Sequence, residues 1–197
     1  MRASTRREFI AGPAGKIECA VDGPEGEPLG IALVAHPHPL FGGSLDNKVV
    51  QTLARAFLEL GWQAWRPNFR GVGATEGVHD EGRGELEDLA AIVAHLEPRR
   101  LALAGFSFGA GVQALLSQNA KAEKLVLVGV AVTRFTLPPA PKGTLVVHGE
   151  LDETVSLSAV LDWARPQELP VVVVPGAEHF FHRKLNVLRD IVLAYCR

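Results

Sequence analysis

LALAGFSFGAGVQALL, from Leu101 to Leu116, passes from an apolar run through a glycine-spaced serine into residues with helical periodicity. The apolar run has the length of a buried strand, and the segment after Gly109 repeats its apolar residues at three and four. A strand that turns directly into a helix needs a sharp corner. Gly105 and Gly109 stand two residues either side of Ser107, where larger side chains would collide with strand and helix. With 20 glycines in 197 residues, a G-x-S-x-G pentapeptide is unremarkable by itself. Its setting distinguishes it, because a strand-turn-helix lifts the Ser107 hydroxyl above the C-terminal edge of a sheet and aims a helix N-terminus at the same space.

Outward from this corner the same alternation continues. IALVAH (31–36), WQAWRPN (62–68), RLALAGF (100–106), KLVLVGVAV (124–132), TLVVHG (144–149) and LPVVVVPG (169–176) read as strands buried on both faces. Between them NKVVQTLARAFLELG, GRGELEDLAAIVAHL, GAGVQALLSQNA, SLSAVLDWA and FHRKLNVLRDIVLAYC carry amphipathic helical spacing. Ahead of them REFIAGPAGKIECAVDG reads as an antiparallel hairpin at the sheet edge. The expected fold class is α/β: a mostly parallel central sheet of about eight strands, helices on both faces, one domain over 1–197.

Composition narrows the function classes. Twenty Lys and Arg against 22 Asp and Glu give a formal charge of −2 with the signs interspersed, which argues against nucleic acid and membrane partners. Cys19 and Cys196 show no metal-type spacing, and reduced thiols in a cytoplasmic protein are the simplest reading. STRREFIAG has the paired arginines of an export signal, but Lys16, Glu18 and Asp22 interrupt the apolar stretch that export requires.

A lone serine hydroxyl is inert, so a base and an orienting carboxylate must come from elsewhere. After the strand ending at Gly149 the chain offers Glu150, Asp152 and Glu153; Asp152 is favoured because it lies where the chain turns toward the next helix. After the last strand come Glu178, His179 and His182, with His179 flanked by Phe180 and Phe181 and His182 expected on a helix surface. His36-Pro37-His38 can also be read as a metal pair, since residues i and i+2 of an extended segment share a face. No third ligand with suitable spacing follows, so no metal and no cofactor is expected. His148 reads as a core or site-wall residue, His79 and His95 as peripheral, and RGVGATEG as an irregular loop near the site.

GFSFG, HGELDETV, GAEHFF, AHPHPLFGGSLDNKVV and NFRGVGATEG together resemble the α/β-hydrolase superfamily, and within it small lidless bacterial serine hydrolases related to the dienelactone hydrolase-like group. The dienelactone hydrolases carry cysteine where this chain has Ser107. The resemblance implies Ser107 as nucleophile, His179 as general base and then acid, and Asp152 as the residue orienting the imidazole. It implies an oxyanion hole built from the Phe108 N–H and a second N–H from the loop after IALVA, at His38 or alternatively Leu40; Pro37 and Pro39 have none. The segment TRFTLPPAPKG is too short to form a cap, so an open site walled by Phe41, Phe106, Phe108, Phe180 and Phe181 is expected. The implied activity is hydrolysis of carboxylic esters with small to medium apolar groups. A non-catalytic binding module on the same fold, or a thioesterase or peptidase with the same three residues, stays open, as does pairing of two protomers through a sheet edge.

Overall fold

Alternating side chains divide each central strand between two apolar layers. In the computed structural model, which describes residues 5–197, Leu101 and Leu103 join one buried cluster while Ala102, Ala104 and Phe106 join the other. The run Ile31–Ala35 does the same, with Leu33 and Ala35 on one face and Ala32 and Val34 on the other. This is the two-residue period of a strand covered on both sides.

Eight strands form one sheet among the described residues: β1 (Arg6–Gly12), β2 (Gly15–Asp22), β3 (Ile31–Ala35), β4 (Gln63–Pro67), β5 (Leu101–Phe106), β6 (Lys124–Val128), β7 (Thr144–Gly149) and β8 (Val171–Val174). Their order is β1-β2-β4-β3-β5-β6-β7-β8. The β1–β2 and β2–β4 pairs are antiparallel, and β3–β4, β3–β5, β5–β6, β6–β7 and β7–β8 are parallel. Arg6 and Arg7, the paired arginines of the sequence, lie in β1.

Helices α1 (Lys48–Glu59) and α5 (Leu185–Cys196) pack on one face with Val50, Leu53, Phe57, Leu188 and Val192 buried. Helices α2 (Arg83–Leu96), α3 (Phe108–Leu116) and α4 (Leu157–Ala164) cover the other with Leu89, Ile92, Val112 and Val160. Asn47 caps α1 by accepting from the Val49 N–H at 2.9 Å. Among the described residues, no helix is long and apolar enough to cross a membrane.

Two expectations need correction. Strand β8 is not buried on both faces: Val172 and Val173 are about one-third exposed, because β8 ends the sheet and pairs only with β7. The last helix begins at Leu185 rather than at Phe181. Residues 178–184 instead form a turn in which Phe181 and Arg183 have φ of 55° and 60°, and the Glu178 carboxylate accepts from the Phe180 and His182 N–H groups. His182 therefore lies ahead of α5, exposed and paired with Glu178 at 3.1 Å.

Parallel strands place their C-terminal ends along one edge, and loops leaving that edge converge. Ser107 follows β5, Asp152 follows β7, His179 follows β8 and the His36–Gly43 loop follows β3.

Candidate active site

Ser107 occupies the corner between β5 and α3 with φ 55° and ψ −115°, a conformation that L-residues rarely adopt. The two flanking glycines have a steric reason. A Cβ on Gly105 would stand 2.5 Å from Gly109 O, and one on Gly109 would stand 2.4 Å from His36 O. The second contact shows that α3 starts directly against the backbone of the β3 loop.

The structure brings Ser107, His179 and Asp152 together. His179 Nε2 lies 3.1 Å from Ser107 Oγ, and His179 Nδ1 lies 2.6 Å from Asp152 Oδ2. The other Asp152 oxygen accepts from the Thr154 and Val155 N–H groups at 2.9 and 2.8 Å. Asp152 therefore cannot rotate without losing contacts on both oxygens. Burial pushes the Asp152 pKa up, but the hydrogen bonds from His179 and the Val155 N–H and the neighbouring imidazoles outweigh it, and the carboxyl ends below its ordinary value. Of the other acids considered, Glu150 accepts from the Gly176 N–H at 2.8 Å and Glu178 serves the turn described above.

His148 lies on β7 beneath this group. Its Nε2 donates to Val155 O at 2.9 Å and sits 3.6 Å from Asp152 Oδ2, and burial lowers its pKa. The imidazole thus braces the same residue, Val155, whose N–H holds Asp152. Gly129 backs the His179 ring, since a Cβ there would lie 3.4 Å from His179 Cε1.

Phe108 opens α3, where first-turn N–H groups have no intrahelical acceptor. In the facing loop, His38 O accepts from the Phe41 and Gly43 N–H groups, and a Cβ on Gly43 would stand 2.1 Å from Pro37 O. The Leu40 N–H donates to His38 Nδ1 at 3.2 Å. The Leu40 N–H is therefore committed inside the loop, which counts against it as the alternative oxyanion donor. The metal reading of His36 and His38 fails for a similar reason. His36 Nδ1 donates to Pro37 O at 2.6 Å and Nε2 accepts from the Phe69 N–H at 2.9 Å, so neither nitrogen is free.

The aromatic residues divide. Phe41 is exposed and Phe180 is half-exposed, the latter edge-on to His179 with ring centroids 5.2 Å apart. Phe106 and Phe181 are wholly buried and do not wall an opening, which corrects both. Phe106 instead supports the His179 ring at 4.8 Å, and Phe181 packs in the α1–α5 layer. The Phe108 side chain is also buried, against Phe69 and Phe135.

His79 is a further correction. Its side chain is packed rather than peripheral, lying on His38 and Phe108 and bonding the buried Glu85 at 2.8 Å. Glu85 sits at the third position of α2 and accepts from the Gly82 N–H, a capping signal that marks this loop as tied down. A polar cleft of about 890 Å³ lies elsewhere, lined by Arg7, Asp22, Asp46, Gln51, Arg55 and Arg66. None of these residues belongs to the Ser107 group, and Arg66 there is already paired with Asp22 at 2.9 Å.

No family model matches the chain. An α/β serine hydrolase without a lid from Xanthomonas campestris is similar to it with a TM-score of 0.91 and 36% identity, over 100% of this chain and 95% of that one. An α/β serine hydrolase homologue from Coxiella burnetii gives a TM-score of 0.90 and 38% identity, over 98% and 97%. An uncharacterized protein of Rickettsia prowazekii is 30% identical over 206 residues, 95% of this chain and 87% of that one.

Proposed function

The chain belongs to the α/β serine hydrolases without a lid, and from that premise we propose that it cleaves carboxylic esters of small to medium apolar groups through an acyl-enzyme on Ser107. The observation carrying this reading is the continuous chain of contacts from Ser107 Oγ through His179 to Asp152, at 3.1 and 2.6 Å.

Ser107 Oγ attacks the ester carbonyl and its proton passes to His179 Nε2. Asp152 keeps hydrogen on His179 Nδ1 and stabilises the imidazolium. On this reading the oxyanion takes hydrogen bonds from the Phe108 N–H and the His38 N–H; losing one such donor typically costs about 10²–10³ in rate. His179 returns the proton to the leaving alcohol, and water, activated by the same imidazole, releases the acid. Phe41 and Phe180 offer apolar surface at the mouth.

The test is labelling with a fluorophosphonate, followed by hydrolysis of 4-nitrophenyl esters of increasing acyl length. The parent protein should label and prefer short chains, and Ser107→Ala should lose labelling and about 10⁴–10⁶ in kcat. Labelling that survives the substitution, or activity confined to long-chain lipids, would overturn the reading. A parent that neither labels nor hydrolyses any ester would favour a binding module.

A further inference from the structure

His179 is carried on residues 178–184, a stretch that belongs to no helix or strand and turns left-handed twice. Phe181 has φ 55° and Arg183 has φ 60°. L side chains rarely adopt this conformation, and the sequence places no glycine between Glu178 and Leu185 to accept it. Such a backbone persists when surrounding contacts over-determine it.

Two anchors hold the ends of the turn. Before it, the Ala177 N–H donates to Val174 O at 3.2 Å, and the Ala177 carbonyl accepts from the Leu151 N–H at 2.8 Å, next to Asp152. After it, the Phe181 side chain is wholly buried in the α1–α5 layer, and the Phe181 carbonyl accepts from the Lys184 N–H at 2.9 Å. His179 and Phe180 lie between the anchors, and Glu178 spans that gap. One of its carboxylate oxygens accepts from the Phe180 N–H at 3.0 Å. The other accepts from the His182 N–H at 2.6 Å and pairs with His182 Nδ1 at 3.1 Å.

The Phe180 N–H lies in the peptide plane that directly follows His179. Holding it fixes the backbone on the far side of the His179 Cα, while Ala177 fixes the near side, so the side chain leaves in one direction. The tolerance is small, because Nε2 must meet Ser107 Oγ at 3.1 Å while Nδ1 meets Asp152 Oδ2 at 2.6 Å. Phe106 and Gly129 support the ring itself. Glu178 acts on the backbone that carries it.

We propose that Glu178 is a positioning residue for the reaction at Ser107, its carboxylate fixing the backbone around His179 so that the imidazole meets Ser107 and Asp152 at once. Without it, the segment between Ala177 and Phe181 is free to relax out of the left-handed turn, and the two anchors keep the rest of the fold in place. Glu178 works through His179 and makes no contact with the reacting atoms. This inference rests on the serine-hydrolase reading of Ser107, His179 and Asp152.

The experiment measures hydrolysis of 4-nitrophenyl butyrate and urea unfolding for the parent, Glu178→Ala, Glu178→Asp and His182→Ala. Glu178→Ala should lower kcat by roughly 10- to 100-fold, as expected when a catalytic group is displaced, with KM within about threefold and an unfolding midpoint near the parent's. Glu178→Asp keeps both accepting oxygens and can reach an N–H two residues on, as Asx turns do, so it should recover most of the lost kcat. His182→Ala removes the ion pair but leaves the His182 N–H, and should stay within about threefold of the parent in kcat. If Glu178→Ala does not fold, Glu178→Gln, which keeps one accepting oxygen, takes its place with a kcat loss of at least about threefold. An unchanged kcat in the variant, a loss carried by KM, or a loss that tracks unfolding would overturn the role. So would an equal loss in Glu178→Asp or in His182→Ala. A parent that does not react with a fluorophosphonate would instead overturn the hydrolase reading beneath it.

Discussion

Ser107 is held in its unusual backbone conformation by contacts on both sides. Its N–H donates to Val128 O at 2.8 Å, and its carbonyl accepts from Gly111 and Ala131 at 3.2 and 3.3 Å. Such a conformation costs about 1–3 kcal/mol, which these contacts and the neighbouring packing offset. Gly109→Ala forces its new methyl against His36 O and should cost about 1–3 kcal/mol in urea denaturation while slowing fluorophosphonate labelling. An alanine variant as stable and reactive as the parent would show that this corner has slack. His36 supplies a pH signature. Burial pushes its pKa down to about 4, against its hydrogen bond to Pro37, whereas the unfolded imidazole titrates near 6.5. Between those values the unfolded chain binds a proton that the native chain does not, so stability falls as pH falls through this window. Asp152, whose folded pKa is depressed, contributes stability above its unfolded value that is lost at still lower pH. Unfolding free energies from urea denaturation at pH 7 and 4.5 should differ by on the order of 2–3 kcal/mol, and the His36 imidazole should show no NMR titration above about pH 5.

At the scale of elements, buried polar ties fix the helices. Arg70, in the loop after β4, makes a two-pronged contact with Asp88 of α2 at 2.8 Å on each arm, and both side chains are buried. Gly84 lets the guanidinium lie across the helix, since a Cβ there would overlap Arg70 Nη1. Asp88→Ala strands that charge and should cost about 3–5 kcal/mol by equilibrium denaturation; a loss below about 1 kcal/mol would mean that the pair does not tie loop to helix. Gln113 anchors α3 likewise, donating to Leu33 O of β3 and Ala104 O of β5. The central strands were legible in the sequence because a strand buried on both faces must be apolar throughout, as β5 is. The exposed face of β8 was not, because its VVVV run is equally apolar and its edge position depends on the order of the whole sheet. Ser107, Asp152 and His179 could be picked out because each follows a recognisable strand. His79 was missed because its role comes from Glu85 on the next helix and from a β3-loop ring distant in sequence. The Glu85 capping position was the available signal. Phe106 and Phe181 were assigned to walls because adjacency to Ser107 and His179 in sequence says nothing about which side of the sheet a ring enters.

Across the whole molecule, the absence of a cap follows from the connection between β6 and β7, where residues 129–143 contain no described helix or strand. The Ser107 group therefore lies at the C-terminal edge of the sheet with no helix or strand from that connection over it. Its members come from chain positions 107, 152 and 179, and β6 must insert between β5 and β7 before the serine and its histidine can meet. Each contact within the group is thus closed across a long loop, whereas α1 through α5 are local. Long-range pairing of parallel strands is the slow part of folding. During refolding from urea, helical circular dichroism should return before fluorophosphonate reactivity, which should follow the slowest phase; coincident recovery would show that the sheet closes in one step with the helices. On the proposed reading, Ser107 then serves as a chemical clock for this protein, its labelling marking the moment when the last strands dock.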